Sequence, residues 1–533
     1  MATTNGDANT ATSAQHSRLN SPVEPSANGP PFLTTRRFST FAKETILPSF
    51  RRTIKGAVLP PGTKGYEESL LVYNGAIQPR PVVVVRPYDS EDVAQVVRIC
   101  RRFGLTMSVK SGGATGYGIS GQVVVDLAKT MNSVWVVTEG GDKPVVRFDG
   151  GCRVADIDEA TCRRGFITPL ATYQGVGAGS VLGGGLGYVG RKWGLSVDNL
   201  VEAEVVTADG KVLVANEKQN QDLFWALRGA GSNFGVVTSV VSRLHKQRTC
   251  YSGVVIYPME SVYAAKLILG RWSEAIGYGA REEMSTSAKL GCDVNGSPLV
   301  MLSFCYSGPE DDAKQLIHPF MSSLPYVPVM NSLRTRDYIQ QQRNTTQYIP
   351  AAGYRYGIRG EHLTQLTPEV ISFLAEAILH LPQDATRSVI DVVLLGGAIT
   401  KVDEDATAWV HRKAAYEVTM IGTWEEEEQD VENKKWLDET LARLKQFSFG
   451  PPPNSQDVPA AEMATVAEKV YGSNLNRLRA LKKKYDPTNF FRFNLNIEPE
   501  GGAVPDEEAT EAILGAQVAE VFSPSSIEAR PAQ

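Results

Sequence analysis

The chain of 533 residues is too long for one hydrophobic core and implies two or three domains. Its 42% apolar and 21% charged residues are ordinary for a soluble globular protein, and a net charge of -5 without a long basic run argues against nucleic acid as partner. No apolar run approaches the roughly 20 residues that span a bilayer, so no membrane partner is expected.

Six scattered histidines with no HExxH pattern, and six cysteines (Cys100, Cys152, Cys162, Cys250, Cys292, Cys305) with no CxxC pair, offer no metal site. The thiols are expected to be free and mostly buried.

In chain order, residues 1–45 read as a disordered arm rich in Ser, Thr, Asn, Ala and Pro. The arm lacks the apolar core of a secretory signal. A cytoplasmic location is expected, with a mitochondrial presequence in the basic TTRRFSTFAKETILPSFRR as the alternative. From Pro81, PVVVVRP predicts a strand, SEDVAQVVRICRRFG a helix with Ser90 as N-cap, and LTMSVKS a second strand. That strand runs into the glycine loop VKSGGATGYG. GQVVVDLAKTMNSVWVV predicts two strands, PVVRFDGG another, VADIDEATCRRGF a helix and ITPLATY extended chain.

A second glycine loop, QGVGAGSVLGGGLGYVG, follows. LVEAEVVTADGKVLVA then predicts a hairpin turning at Ala208, Asp209 and Gly210. QDLFWALRGAGSNFGVVTSVVSRL adds a short helix, a third glycine turn and a closing strand. Beyond Cys250, YSGVVIYP, PLVMLSFCYSG and SVIDVVLLGGAIT predict strands, and SVYAAKLILGRWSEAI, EDDAKQLIHPFMSSL and PEVISFLAEAILHL amphipathic helices. FGPPPNSQDVP is a break before a basic helix and the aromatic segment ending NFFRFNLNIEP.

Glycine lets a ligand approach the backbone, and successive amides form an anion-binding nest. Three such loops within one α+β unit point to a cofactor. GLGYVG fits the dinucleotide pattern GxGxxG, but no buried strand precedes it, and Asp209 falls in a hairpin turn. A nicotinamide-binding site is therefore not expected. The Walker pattern is absent.

The ordered segments PVVVVRPYDSEDVAQVV, VKSGGATGYGIS, VVVDLAKTMNSV, GVGAGSVLGGGLGYVGRKWGLSVDNLVEAEVVTADGKVL and DLFWALRGAGSNFGVVTSV resemble the FAD-binding domain of the vanillyl-alcohol oxidase and p-cresol methylhydroxylase superfamily. The closing segments GGAITKVDEDATAWVHR and VYGSNLNRLRALKKKYDPTNFFRFNLNI are similar to its berberine-bridge-enzyme-like branch. The resemblance implies an α+β fold: a two-part FAD-binding domain (46–246), a substrate domain made of a sheet covered by helices (247–452), a berberine-type segment returning to the FAD domain (453–500), and a tail (501–533).

It also implies that FAD rests on Ser111, Gly112, Gly113, Ala114 and Thr115, with Tyr117 beside them. Gly177, Gly179, Gly183, Gly184 and Gly185 would pass along its other side. Asp198, Asn199, Val236 and Val237 would line its ribityl and adenine parts, and Asn494 and Asn496 would approach from the C-terminus. Ala114 stands where many relatives carry a histidine joined to the flavin, and Thr172 or a neighbour stands where many carry a linking cysteine. Noncovalent FAD is expected.

The function implied is a two-electron oxidation of a small organic molecule, a secondary-metabolite intermediate, with O2 as acceptor. The alternative is a flavin-containing cyclase of the same fold. A base must take the substrate's proton. Tyr471 in VYGSN is the first candidate and Glu404, with Asp403, the second; His411 reads as structural. Tyr471 has a core role as its plain alternative, and Glu404 an exposed acidic turn.

Overall fold

In the computed structural model the described residues are 42–138, 143–277, 280–344, 352–453, 458 and 462–505. Of Met1–Ile46, set apart as a separate unit, only the short helix Ala42–Ile46 is described. The predicted arm thus falls almost wholly outside the described residues, as do positions 506–533 of the predicted tail. Leu47–Gln533 forms the second unit and carries three main sheets.

The first sheet has four strands in the order Ala57–Leu59, Val83–Arg86, Val123–Asp126, Met107–Lys110, and its last three are parallel. Val83, Val84 and Val85 are all fully buried, which is why this strand is an unbroken β-branched run. The helix Ser90–Arg102 crosses between parallel strands and buries Val93, Val96, Val97 and Cys100. Its N-cap is Asp89, not the predicted Ser90: the Asp89 carboxylate accepts from the Asp92 amide, and Ser90 becomes the first helical residue.

The second sheet has five antiparallel strands in the order Val134–Val137, Val145–Asp149, Val236–Arg243, Leu200–Val206, Val212–Asn216. The predicted hairpin closes where the Thr207 amide donates to Lys211 O, with Gly210 at φ 72°. The helices Met463–Tyr471 and Leu475–Tyr485 pack Ala467, Val470, Leu475 and Leu478 into this sheet's core beside Phe224 and Leu227. Lys482 is fully buried there, paired with Asp486 at 2.6 Å and donating to the carbonyls of Asn233 and Phe491. Asp486 in turn accepts from the amides of Phe490 and Phe491, which fixes the return of the aromatic segment.

The third sheet takes its nine strands from residues 249–450. Its centre runs Thr249–Pro258, Pro298–Tyr306, Met284–Cys292, Val389–Leu394, Tyr416–Trp424, Arg355–Leu363, all antiparallel. Alternate residues such as Leu302, Ala288, Val392 and Val418 join a core with Trp272, Ile317, Leu374 and Leu437 from four helices, Val262–Trp272, Glu310–Ser323, Pro368–Leu379 and Asp430–Leu444. The helices cover one face. The other face carries Ser303, Ser287, Val393 and Glu417. This is the α+β architecture expected, with six strands of this sheet that the apolar pattern did not reveal, the longest being Met284–Cys292, Arg355–Leu363 and Tyr416–Trp424.

Candidate active site

The strand Met107–Lys110 delivers the loop 111–115, and Gly113 takes φ 74°. Ser111 Oγ donates to Gly150 O at 2.7 Å, and the Lys110 ammonium, buried beneath the loop, donates to Ser69 O. The second glycine loop lies directly against the first. A Cβ on Gly112 would meet Gly177 N at 2.3 Å, and one on Gly177 would meet Gly112 N at 2.1 Å. Both positions are glycine because two backbones touch.

A cavity of about 140 Å³ opens beside this contact, lined by Ser111, Gly179, Val236, Val237, Phe491 and Asn494 among others. A Cβ on Gly179 would meet nothing within 4 Å, so bare backbone faces open space. Asn494 donates to Ser232 O and Phe491 O, while its Oδ1 is buried without a partner among the described residues. An unpaired buried acceptor is costly, and it marks a place where a ligand donor belongs.

A second cavity, of about 190 Å³, lies on the open face of the large sheet. Thr172 and Tyr188 line it from the loop side, and Ser287, Lys289, Asp391 and Glu417 form its floor. The segment from Thr172 to Gly179, which runs into the short helix Ala178–Gly183, thus passes from one cavity to the other. The strand register sets the floor in rows: Ser303, Ser287, Val393, Glu417 and His362 lie side by side, as do Lys289, Asp391 and Thr419. Lys289 and Asp391 form an ion pair. The Glu417 carboxylate is 3.3 Å from His362 Nε2.

Of the residues singled out in the sequence, Ser111, Gly179, Val236, Val237 and Asn494 line the smaller cavity. Ala114, Thr115 and Tyr117 are half-buried in the first loop and the short helix that follows it. Gly183 ends the short helix Ala178–Gly183. Gly184, at φ 129°, faces Trp409, and Gly185, at φ 73°, faces Ser196. These glycines permit loop packing.

Asp198 has a different task from the one expected: both its oxygens accept from the Arg412 guanidinium at 2.8 Å, and Oδ2 also accepts from the Leu195 amide. Asn199 donates to Trp193 O and Leu195 O and bonds His245, which leaves its side chain no free group. Asn496 lines neither cavity, though its Oδ1 is buried without a partner among the described residues.

Neither expected base lines either of these two cavities. Tyr471 is buried in the second sheet's core with its hydroxyl bonded to Asn233, and burial pushes that hydroxyl's pKa up. Glu404 has a side chain 43% exposed and pairs with Lys413 at 3.2 Å. Tyr471 thus takes the core role, enclosed with its hydroxyl on Asn233, and Glu404 the acidic-turn role, paired with Lys413. His411 is buried, and burial pushes its imidazole down to about 3, so it stays neutral. Glu417, Asp391, Lys289 and His362 escaped the sequence reading. The signal was there: MSTSAKLGC and YEVTMIGTW both alternate with period two.

Models of the FAD binding domain and of berberine and berberine-like proteins match residues 81–216 and 456–498. Both matches make the chain similar to the berberine-like FAD-linked oxidoreductases. This oxidoreductase is 27% identical to an FAD-linked oxidoreductase of Dictyostelium discoideum, over 85% of this chain and 97% of that protein. It is 29% identical to (R)-6-hydroxynicotine oxidase of Paenarthrobacter nicotinovorans, over 84% and 98%. The crystal structure of 6-hydroxy-D-nicotine oxidase from Arthrobacter nicotinovorans superposes with a TM-score of 0.75 at 27% identity, covering 84% of this chain and 98% of that one.

The residues present suit FAD. The bare backbone at Gly179 and the orphaned Asn494 Oδ1 offer polar contacts, and Val237 and Phe491 offer apolar walls. No helix among the described residues is long and apolar enough to cross a membrane.

Proposed function

We propose that this oxidoreductase removes two electrons and two protons from a small organic molecule held on the floor of the larger cavity, with Glu417 as the base and O2 as final acceptor. The observation that carries this reading is the Glu417 carboxylate on the cavity floor, facing the loop that also borders the smaller cavity. FAD, when bound, supplies the acceptor for a hydride. Ser111, Gly179, Val236, Val237, Phe491 and Asn494 would hold it.

Glu417 takes the accompanying proton, and the paired Lys289 and Asp391 orient a polar group of the substrate. The relatives' names and the varied floor support a secondary-metabolite intermediate as substrate. Ala114 carries no group able to bond the flavin, and Thr172 is a hydroxyl where a thiol would be needed, so noncovalent attachment is proposed.

The test is spectroscopic. Acid precipitation should leave all FAD in the supernatant, and substrate added without air should bleach the flavin band, with O2 restoring it and forming one H2O2 per turnover. Flavin in the pellet would refute noncovalent attachment. Product formed with the flavin band unchanged would replace oxidation with cyclisation.

A further inference from the structure

Resting on the reading of Glu417 as the base, we infer that His362 is its positioning residue: the His362 Nε2–H holds Glu417 Oε2 from behind the cavity floor and leaves Oε1 for the substrate. His362 and Glu417 are directly opposite each other on adjacent antiparallel strands, so both side chains share the cavity-side face. Glu417 borders the cavity; His362, one strand further out, is fully buried.

The surroundings of His362 allow it one polar partner. Trp409, His411 and Phe449 enclose the ring, with centroids 5.9, 4.8 and 6.1 Å away. Its Nδ1 is buried and has no partner among the described residues, and neither has His411 Nε2. The opposing residue on the edge strand is Gly450, which has no side chain to offer. Glu361, next along the strand, points to the opposite face towards Ser448 and Lys445. Among the described residues, the carboxylate facing His362 is therefore Glu417.

That geometry decides the tautomer. An ionised carboxylate only accepts hydrogen bonds, so the nitrogen facing it must carry the hydrogen. A hydrogen on Nδ1 would be buried with no acceptor among the described residues, which places the ring hydrogen on Nε2. A glutamate otherwise has three torsions to sample, and a base must be held near its attack geometry to act efficiently. The imidazole is itself immobilised by the aromatic box, and it transfers that rigidity to the carboxylate.

The test begins with 15N-histidine NMR of the wild-type protein. The imidazole whose signals respond to Glu417→Gln should be His362 and should show the Nε2–H tautomer; an Nδ1–H tautomer, or no imidazole responding, overturns the inference. This measurement needs neither turnover nor a folded His362 variant. In the reduction half-reaction, His362→Leu should slow the saturated rate by roughly 10- to 100-fold with KM within about twofold. An unchanged rate in His362→Leu alongside a slow Glu417→Gln would sink the positioning role alone. A normal rate in Glu417→Gln would instead sink the base assignment, and the inference with it.

Discussion

Gly112 and Gly177, on separate glycine loops, are in contact through their backbones: a methyl on either would fall within 2.3 Å of the other's amide nitrogen. This contact joins the strand-end loop 111–115 to the loop that borders both cavities. Gly112→Ala or Gly177→Ala must push the loops apart, at a cost of about 1–3 kcal/mol or more. The variants should purify with substoichiometric FAD. The ratio of flavin to protein absorbance after gel filtration measures it, and full occupancy in both variants would show the contact to be dispensable.

Glu417, not Tyr471 or Glu404, should control proton removal. Glu417→Gln is expected to slow anaerobic flavin reduction by about 100-fold or more, the usual range for losing a general base. Tyr471→Phe and Glu404→Gln should stay within about threefold of wild type. Stopped-flow traces at 450 nm compare all three, and a large loss confined to Tyr471→Phe would reverse the assignment.

Arg412 and Asp198 form a buried bidentate pair with side chains 2% and 8% exposed, and Arg412 also donates to Thr407 Oγ1. Removing one partner strands the other charge. Arg412→Met should cost about 3–5 kcal/mol in urea unfolding, whereas the double variant Arg412→Met with Asp198→Leu should lose less. Equal losses would mean that the pair acts through packing alone.

Asp158 is fully buried, and burial pushes its carboxyl up to about 7 despite the bond from Gln342. Because the folded value is raised, the folded protein binds the extra proton. The stability this confers is whole below about pH 3.9, the unfolded value, and is lost as pH rises through about 7. At about 1.4 kcal/mol per pH unit between the two values, the loss reaches roughly 4 kcal/mol. Asp158→Asn removes the titration, so its Tm relative to wild type should climb from pH 5 to pH 8. A constant difference across that range would show that Asp158 does not titrate there.

The legible parts of the fold were those buried on both sides or closed by strong turn chemistry. Val83, Val84 and Val85 announce a strand because neither face meets water, and Asp209 and Gly210 announce a hairpin. The strands Met284–Cys292 and Tyr416–Trp424 carry no continuous apolar run, because every second residue is polar or small on the cavity side, and only their period-two alternation marks them. The floor of the site was missed for the same reason that it can serve as one.

By itself the sequence determined the family resemblance, the cofactor class and the order of the loops, because glycine spacing and β-branched runs are local properties of the chain. Only the tertiary structure decided which titratable groups converge. Lys289, Asp391, Glu417 and His362 come from four strands spread over more than a hundred residues, and antiparallel register alone brings them into two adjacent rows. The tyrosine and glutamate that looked eligible in the sequence were drawn instead into the core and onto the surface, since burial and charge pairing are settled by the neighbours that folding supplies.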